Sequence, residues 1–406
     1  MVGQRGSGTM GDWWRRPPAS SVMAAMQTGT DMARYVGGCV RDTLLGRRFT
    51  EIDMATVHLP ERTAALLEAA GLPPRLTGFS HGSVSTVAGG MVFDITTLRR
   101  DLETDGRHAT VGFTDDWAED AKRRDFTINA LFMDADGVVH DLVGGRDDLE
   151  AGRVRFVGDP AERVAEDILR ILRFYRFAAS LACTSLDDAA RRACRNAAPE
   201  LRTLPGERLR TEFLKLLEAP GVMAAVMAMD EDGVLDLVLP GQRHIDALAR
   251  LVGREQHPDP VRRLAVLADD CRIPERLRLS SAQKARLDRI RRERLAPGMS
   301  ERDLKARLYR SGPGRFADAA LAGHALDRLA DTETDRALAL VRDWSVPSFP
   351  LRGEDLVALG IAPGPRIGAM LRELETRWIG DGLEADRAAC LAWARDAVSR
   401  AESGSC

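Results

Sequence analysis

Short runs in which Val, Ile, Thr and Phe alternate with polar residues dominate the chain up to about residue 157. Glycine pairs and Asp-Gly steps separate these runs, which is typical of β-strands joined by tight turns. The pattern predicts strands in ARYVGG, EIDMATV, GSVSTVAGG, MVFDITTL, TINALFMDADGVVHDLV and GRVRFVG. Apolar residues at helical spacing predict helices at about 60–70 and 117–124. We therefore expect the first part of the chain to mix strands and helices.

From Pro160 onward the apolar residues recur at intervals of three and four, which predicts helices. The first predicted helix is AERVAEDILRILRFYRFAASL, and Pro160 in its first turn supports this start. Further helices are predicted at about 185–197, 206–218, 221–230, 243–254, 260–270, 281–293, 301–310, 315–329, 333–342, 366–379 and 384–402. A β-containing head followed by an all-α remainder indicates the α+β fold class.

The composition of the 406 residues is that of an ordinary globular protein, with 44% hydrophobic and 29% charged residues. No apolar run approaches the roughly 20 residues that a membrane-spanning helix needs, so no membrane partner is expected. The N-terminal MVGQRGSGTMGDWWRRPP lacks the apolar core of a secretory signal and is interpreted as a flexible leader. Six scattered cysteines without metal-ligand spacing favour a reducing, cytoplasmic location.

A glycine pair follows the first predicted strand and precedes a short helix. Gly37 and Gly38 allow the backbone to approach a ligand closely, and the start of the helix offers free N–H groups to an anion. A plain strand–turn–helix is the alternative for the glycine pair alone. Arg41, one helical turn further on, favours a phosphate site.

Acidic residues occupy two of the predicted strands. Glu51 and Asp53 are two residues apart, so their side chains share one face of a strand, and carboxylate oxygens suit Mg²⁺. Asp94 lies in the apolar strand MVFDITT and needs a partner there, either a metal site or a structural hydrogen bond. Acids on neighbouring strands beside a phosphate turn predict nucleotidyl transfer by two metal ions.

Four ordered motifs between residues 37 and 217 resemble those of one known family. They are GGCVRDTLLGRRFTEIDMAT from Gly37, RRDFTINA from Arg123, EDILRILRFYRF from Glu166 and GERLRTEFLKLL from Gly206. The chain resembles the bacterial-type (class II) tRNA nucleotidyltransferases and their poly(A) polymerase relatives. The resemblance implies a polymerase-β-like nucleotidyltransferase head followed by helical neck, body and tail domains.

The resemblance and the change of pattern together suggest limits for these domains. We expect a flexible leader with a first helix at 1–30, the head at 31–157, the neck at 158–220, an RNA-binding body at 221–345 and the tail at 346–406. Residues 262–310 contain 15 Arg or Lys against seven Asp or Glu, although the net charge of the chain is −3. This basic excess suggests a surface for the phosphates of a tRNA acceptor arm, and a solvated helix face is the alternative.

The resemblance also implies the residues of the active site. Glu51, Asp53 and Asp94 would be catalytic, and Glu51 and Asp53 would hold Mg²⁺. Ten residues would bind the nucleotide: Gly37, Gly38, Arg41, Arg124, Asp125, Asn129, Asp167, Arg170, Arg173 and Arg176. The family usually has aspartate where this chain has Glu51, and the longer side chain must fold back to keep the same metal distance.

In this family the residues at the positions of Asp167 and Arg170 pair with the Watson–Crick edge of the incoming base. Asp167 would accept a hydrogen bond from the amino group of cytosine or adenine, and Arg170 would donate to the adjacent ring acceptor. Uracil and guanine present a carbonyl oxygen there, which a carboxylate repels. Because these charges recur every three residues, a salt-bridged, solvated helix face is the alternative.

The implied activity is the addition of C, C and A to tRNA 3′ ends from CTP and ATP, with release of pyrophosphate. The polar stretch Arg99–Ala109 is expected to be a mobile loop, and in this family such a loop accompanies the switch from C to A addition. Poly(A) polymerases and enzymes that add only part of CCA share the motifs and remain alternatives. A non-catalytic RNA-binding protein is the alternative from another class, and the retained Asp53 and Asp94 argue against it.

Overall fold

The computed structural model describes most of the chain: residues 11–76, 78–79, 82–104, 109–183 and 185–403. The chain divides into two units. The first runs to Pro240 and also includes Glu275–Arg278, and the second comprises Gly241–Pro274 and continues from Leu279. Within the described residues, no helix combines the length and apolar character that crossing a membrane requires.

The first unit contains all eight strands of the described chain. They are β1 (Ala33–Val36), β2 (Glu51–Thr56), β3 (Ser83–Ala88), β4 (Met91–Thr97), β5 (Arg99–Thr104), β6 (Ala109–Phe113), β7 (Leu131–Met133) and β8 (Val139–Asp141). Six of them form one sheet in the order β3-β4-β2-β1-β7-β8, and β5 pairs with β6. In the large sheet β2 and β4 are parallel, and the other neighbours are antiparallel.

Alternation along β2 separates the core of the sheet from the functional face. Ile52 and Met54 are buried, whereas Glu51 and Asp53, which alternate with them, are exposed. In β4 the neighbours Phe93 and Ile95 are likewise buried. Because successive side chains of a strand face opposite sides, burial of the apolar residues turns the acids toward the other face.

Eleven helices belong to the first unit as it runs to Pro240. They are α1 (Ala19–Met26), α2 (Gly38–Leu44), α3 (Pro60–Ala69), α4 (Trp117–Lys122), α5 (Gly145–Glu150), α6 (Pro160–Glu166), α7 (Arg170–Leu181), α8 (Asp188–Ala197), α9 (Gly206–Glu218), α10 (Val222–Glu231) and α11 (Leu235–Val238). Apolar residues of α7 at helical spacing, such as Ile171 and Phe174, are fully buried.

The remaining helices are α12 (Ile245–Val252), α13 (Pro260–Leu267), α14 (Ile273–Arg276), α15 (Ser281–Arg292), α16 (Glu301–Ser311), α17 (Pro313–Ala325), α18 (Asp331–Asp343), α19 (Gly353–Ala358), α20 (Pro365–Gly380) and α21 (Arg387–Ser403). Phe316 and Trp378 lie in two separate apolar clusters of the second unit. The expected boundary between body and tail, at residues 345 and 346, falls between α18 and α19. The α+β class is therefore confirmed, whereas the five domain limits stay predictions.

One long helix was expected from residue 161 to 181, and the structure divides it. Helix α6 ends at Glu166 and α7 begins at Arg170, with Asp167 in extended backbone conformation at φ −151°. The Asp167 Oδ1 atom accepts a hydrogen bond from the Leu169 N–H at 3.1 Å. Such a local side-chain bond competes with helical pairing, so Asp167 does not share a helix face with the arginines of α7.

Two strand and loop predictions also differ from the structure. The run GRVRFVG was expected to be a strand, but it makes only an isolated bridge between Phe156 and Phe126. The stretch Arg99–Ala109 was expected to be a loop, and its ends belong to β5 and β6. Strand pairing uses backbone groups, so a charged composition does not prevent it. Residues 105–108 of this stretch lie outside the described residues.

Candidate active site

Three of the expected site residues meet at the glycine turn between β1 and α2. Gly37 has φ +72°, which favours glycine, and a Cβ atom there would lie 3.6 Å from the Asn129 carbonyl oxygen. The same position is 3.9 Å from the Asp53 Oδ2 atom and 4.0 Å from the Arg124 Nη1 atom. Gly38 is the first residue of α2. The requirement for glycine at residue 37 therefore comes from its positive φ, since a Cβ atom there would make only ordinary van der Waals contacts.

The expected catalytic acids lie on neighbouring parallel strands. Asp53 of β2 is directly opposite Asp94 of β4 in the strand register, and Glu51 lies two residues earlier on the same face as Asp53. The Asp53 side chain is exposed to solvent on one side, and protein groups surround its other sides. This enclosure raises the pKa of Asp53 to about 6, and the negative charge of Asp94 and the more weakly acting charge of Glu51 contribute to the rise.

The repulsion among these acids fits a divalent cation. In the described parts of the chain, no three His, Cys, Asp or Glu residues are grouped closely enough to hold a metal ion by themselves. An ion such as Mg²⁺ needs only one or two carboxylates, because water and substrate phosphates complete its octahedral shell. The donor set of Glu51 and Asp53, with Asp94 beside them, is therefore compatible with a cation that arrives with a nucleoside triphosphate.

A chain of hydrogen bonds connects the glycine turn to helix α7. The Arg41 Nη1 atom donates to the Asn129 Oδ1 atom at 2.7 Å, and Asn129 Nδ2 donates to Asp125 Oδ1 at 3.2 Å. The Arg173 Nε atom donates to the other Asp125 oxygen at 2.7 Å. The structure thus brings together Arg41, Asn129, Asp125 and Arg173, all expected to bind the nucleotide.

The three arginines of α7 have carboxylate partners and do not form a solvated face. Arg170 is paired with Glu166, and Arg176 is paired with the buried Glu212 of α9. The Phe177 ring lies beneath three guanidinium groups, at 3.8 Å from Arg176, 5.1 Å from Arg41 and 5.5 Å from Arg173. This arrangement fixes a cluster of positive charge beside the glycine turn.

The side chains of Asp167 and Arg170 have different partners. Asp167 accepts from the Arg208 Nη2 atom at 2.9 Å, and Arg170 donates to the Arg163 carbonyl oxygen at 2.8 Å as well as to Glu166. The Asp167 and Arg208 side chains are 34% and 46% exposed. An ion pair with this much exposure is weakly held and can exchange one partner for a base.

Comparison with known proteins agrees with this geometry. Residues 33–155 match the model of the poly(A) polymerase head domain, and residues 185–245 match that of the probable RNA- and SrmB-binding site of polymerase A. The mitochondrial CCA tRNA nucleotidyltransferase 1 of Danio rerio is 34% identical over 358 residues, which are 85% of this chain and 83% of that protein. The chain belongs to the CCA tRNA nucleotidyltransferase and poly(A) polymerase family.

Two further comparisons cover nearly the whole chain. The CCA-adding enzyme of Levilactobacillus brevis is 30% identical over 395 residues, which are 93% of this chain and 97% of that enzyme. The crystal structure of the Bacillus stearothermophilus CCA-adding enzyme in complex with CTP covers 96% of this chain and all of that one, with a TM-score of 0.66 and 24% identity. The likeness shows that the fold is shared. The protein is thus a nucleotidyltransferase, as the motifs predicted.

Sequence reasoning missed a buried acid of this nucleotidyltransferase that orients Arg124. Asp120 of α4 is 1% exposed and accepts from Arg124 Nη2 at 2.7 Å and from Arg123 Nη2 at 2.5 Å. Burial opposes ionisation of this carboxyl, but the two guanidinium groups outweigh it and hold the pKa of Asp120 below its usual value. Asp120 precedes Arg123 by three residues and Arg124 by four, and this helical spacing could have indicated the contact.

Proposed function

We propose that this enzyme adds C, C and A to the 3′ end of tRNA, using CTP and ATP and releasing pyrophosphate. The observation that carries the proposal is the register of Asp53 against Asp94 beside the glycine turn. The names of the relatives support it, as do neighbouring structures described as a complex with CTP and as a Thermotoga maritima enzyme complexed with tRNA.

The chain's own residues suit the transfer of a nucleotidyl group. We place Mg²⁺ at Glu51 and Asp53, with Asp94 beside them, where the bound cation would stabilise the negative charge of the leaving pyrophosphate. The RNA 3′-hydroxyl attacks the α-phosphorus and forms the new P–O bond while the bond to pyrophosphate breaks. Asp94, opposite Asp53 on the neighbouring strand, would accept the hydroxyl proton.

The positive groups around the turn would hold the triphosphate during this step. Arg41 and Arg124 are kept near Gly37 by Asn129 and Asp120, so their orientation precedes binding. Guanidinium groups form paired hydrogen bonds with phosphate oxygens. Arg173 and the neighbouring Arg176 extend the same positive surface along α7.

Base selection is assigned to Asp167 and Arg170. Asp167 can accept from the amino group of cytosine or adenine once it leaves Arg208, whose exposed contact with it is weak. Arg170 can donate to the ring nitrogen beside that amino group. Uracil and guanine place a carbonyl oxygen opposite the carboxylate, so their binding is repulsive.

Poly(A) polymerase is the second candidate, since it shares the head motifs. We expect the purified enzyme to add two residues to a tRNA lacking CCA when given CTP alone, and three when given CTP and ATP. With ATP alone, we expect at most trace addition to that tRNA and one addition to a tRNA already ending in CC. Long tails from ATP on an unrelated RNA would contradict CCA addition and identify a poly(A) polymerase.

A basic cavity in the second unit is the proposed contact for tRNA phosphates. The cavity has a volume of about 820 Å³, and Arg291, Arg294 and Arg328 are among its lining residues. Arg291 donates to the Ala268 and Asp270 carbonyl oxygens, and its Nε atom has no partner among the described residues. Arg294 and Arg328 are exposed. Phosphate oxygens are the acceptors that such guanidinium groups bind best.

Replacing both Arg294 and Arg328 with alanine should weaken tRNA binding about tenfold. The slope of log affinity against log salt concentration should become shallower by about one to two, because up to two phosphate contacts are lost. The rate at saturating tRNA should remain within twofold. The matched control replaces Arg289 and Arg292 with alanine. This change removes the same charge from the same region, but neither residue lines the cavity. Equal losses for both double variants would show that general charge, and not the cavity, binds RNA.

We also propose that the enzyme works in the cytoplasm. The cysteines of the described chain, five in number, are free thiols, and four of them are buried. Unpaired thiols are typical of proteins from reducing compartments.

A further inference from the structure

The last part of the leader expected from the sequence lies against the sheet, and residues 1–10 of that leader lie outside the described residues. We call this segment, residues 12–18, the N-terminal strap. Trp14 covers the turn between β7 and β8 so closely that a Cβ atom on Gly137 would be 2.5 Å from its Nε1 atom. Pro18 packs in the same way against Gly89, in the turn between β3 and β4. The strap thus contacts the β7–β8 turn at one edge of the sheet and the β3–β4 turn at the other edge.

Trp13, near the start of the strap, contacts three different segments of the head. Its Nε1 atom donates to the Thr43 Oγ1 atom of α2 at 2.8 Å. Its ring meets the edge of Tyr35 in β1 with ring centres 4.8 Å apart. It also meets Phe49, in the connection from α2 to β2, with centres 5.0 Å apart.

Each of these contacts is two residues from an expected active-site residue. Tyr35 precedes Gly37 and Phe49 precedes Glu51. Thr43 follows Arg41 and donates to the Cys39 carbonyl oxygen at 2.6 Å, so the contact continues into the first turn of α2. One intervening residue therefore separates each contact of Trp13 from Gly37, Arg41 or Glu51 along the backbone.

We propose that Trp13 is a positioning residue of the nucleotide site. It holds the end of β1, helix α2 and the start of β2 at fixed separations, so that Gly37, Arg41 and Glu51 are arranged before the nucleotide binds. This role rests on the proposed function of those three residues. Pre-arranged groups bind a ligand more tightly than mobile ones because less conformational entropy is lost on binding.

The connection from α2 to β2 is the segment that Trp13 would hold in place. Residues 45–50 form neither helix nor strand, and several of them are exposed. Arg47 donates to the Ser180 carbonyl oxygen at 3.0 Å, and nearer to β2 the segment is held by the ring contact of Phe49 with Trp13. Phe49 belongs to this connection and Thr43 to the helix before it, and the single Trp13 side chain joins them.

The test compares Trp13→Ala with Trp14→Ala, the neighbouring tryptophan of the same strap. Trp13→Ala should raise the KM for CTP and the Kd for CTP alone about tenfold, and leave the KM for tRNA within twofold. Trp14→Ala should lower the melting temperature to a similar extent and leave both nucleotide constants within twofold. Hydrogen exchange of amides 38–51, measured without substrates, should speed up in Trp13→Ala and not in Trp14→Ala.

Two further variants keep the test decisive if Trp13→Ala does not fold. Trp13→Phe keeps the ring contacts and loses the N–H donor, and Thr43→Val removes its acceptor. If the hydrogen bond between Trp13 and Thr43 carries the effect, the Trp13→Phe/Thr43→Val double variant should bind CTP no more weakly than either single variant. Unchanged CTP binding in folded Trp13→Ala and Trp13→Phe would overturn the proposal. Failure of the wild-type enzyme to add any nucleotide would instead overturn the proposed function, and the exchange and CTP-binding measurements would still decide the role of Trp13.

Discussion

The Asp53→Ala variant is expected to lose nucleotide addition by at least about a thousandfold, equivalent to about 4 kcal/mol of transition-state stabilisation. Asp53 lies opposite Asp94 in the register of β2 and β4, and its carboxylate borders the glycine turn. Removal of this oxygen donor leaves the cation with too few protein ligands to remain in place. Single-turnover incorporation of CTP in Mg²⁺ measures the loss, and tRNA binding should stay within a few-fold.

Asp136→Ala provides the control for the change of charge. Asp136 is an exposed acid in the turn between β7 and β8, so its removal should leave both incorporation and tRNA binding unchanged within twofold. Near-normal incorporation by a folded Asp53→Ala variant would be incompatible with a metal site at this carboxylate. A parallel loss of tRNA affinity would indicate that Asp53 supports RNA binding.

Asp167→Ala is expected to change which bases the enzyme accepts. Loss of the carboxylate removes the repulsion toward the O4 atom of uracil, so UTP should become a competing substrate. A hydrogen bond to a charged group contributes roughly 1.5–3 kcal/mol, which corresponds to about a ten- to hundredfold change in the preference for CTP over UTP. Steady-state incorporation of each nucleotide separately, together with a melting temperature, measures the effect.

Arg208→Ala separates base reading from the ion pair. This variant breaks the same contact to Asp167 and leaves the carboxylate in place, so the ratio of CTP to UTP incorporation should remain that of the wild type. If both variants lower incorporation of C, A and U equally and also lower the melting temperature, the pair is structural. An unchanged ratio in folded Asp167→Ala would remove Asp167 from the base-reading site.

Most of the elements were predictable because their apolar pattern is local. Strands β2 and β4 alternate buried and exposed residues, and the helices after Pro160 carry apolar residues at helical spacing. The break at Asp167 was not predictable, because apolar periodicity continues across it while a side-chain bond to Leu169 interrupts the helix. The packing of Trp13 depends on residues far away in sequence, which no local pattern reveals.

The sequence also suggested which side chains belong to the site, but not how they are arranged. The spacing of Glu51 and Asp53 predicted a shared face, whereas the register that sets Asp53 opposite Asp94 arises from pairing between distant strands. The partners of the arginines were missed for the same reason. Glu212 lies within a motif already noted, yet its pairing with Arg176 depends on the packing of α9 against α7.

The most direct test determines the sequence of the 3′ ends that the wild-type enzyme makes on a tRNA lacking CCA, with all four nucleoside triphosphates present. We expect C, C and A in that order, followed by arrest, and we expect U and G to be excluded because the Asp167 carboxylate repels their carbonyl oxygens. Products that continue as runs of A, end reproducibly at CC, or contain U and G at appreciable frequency would contradict this assignment.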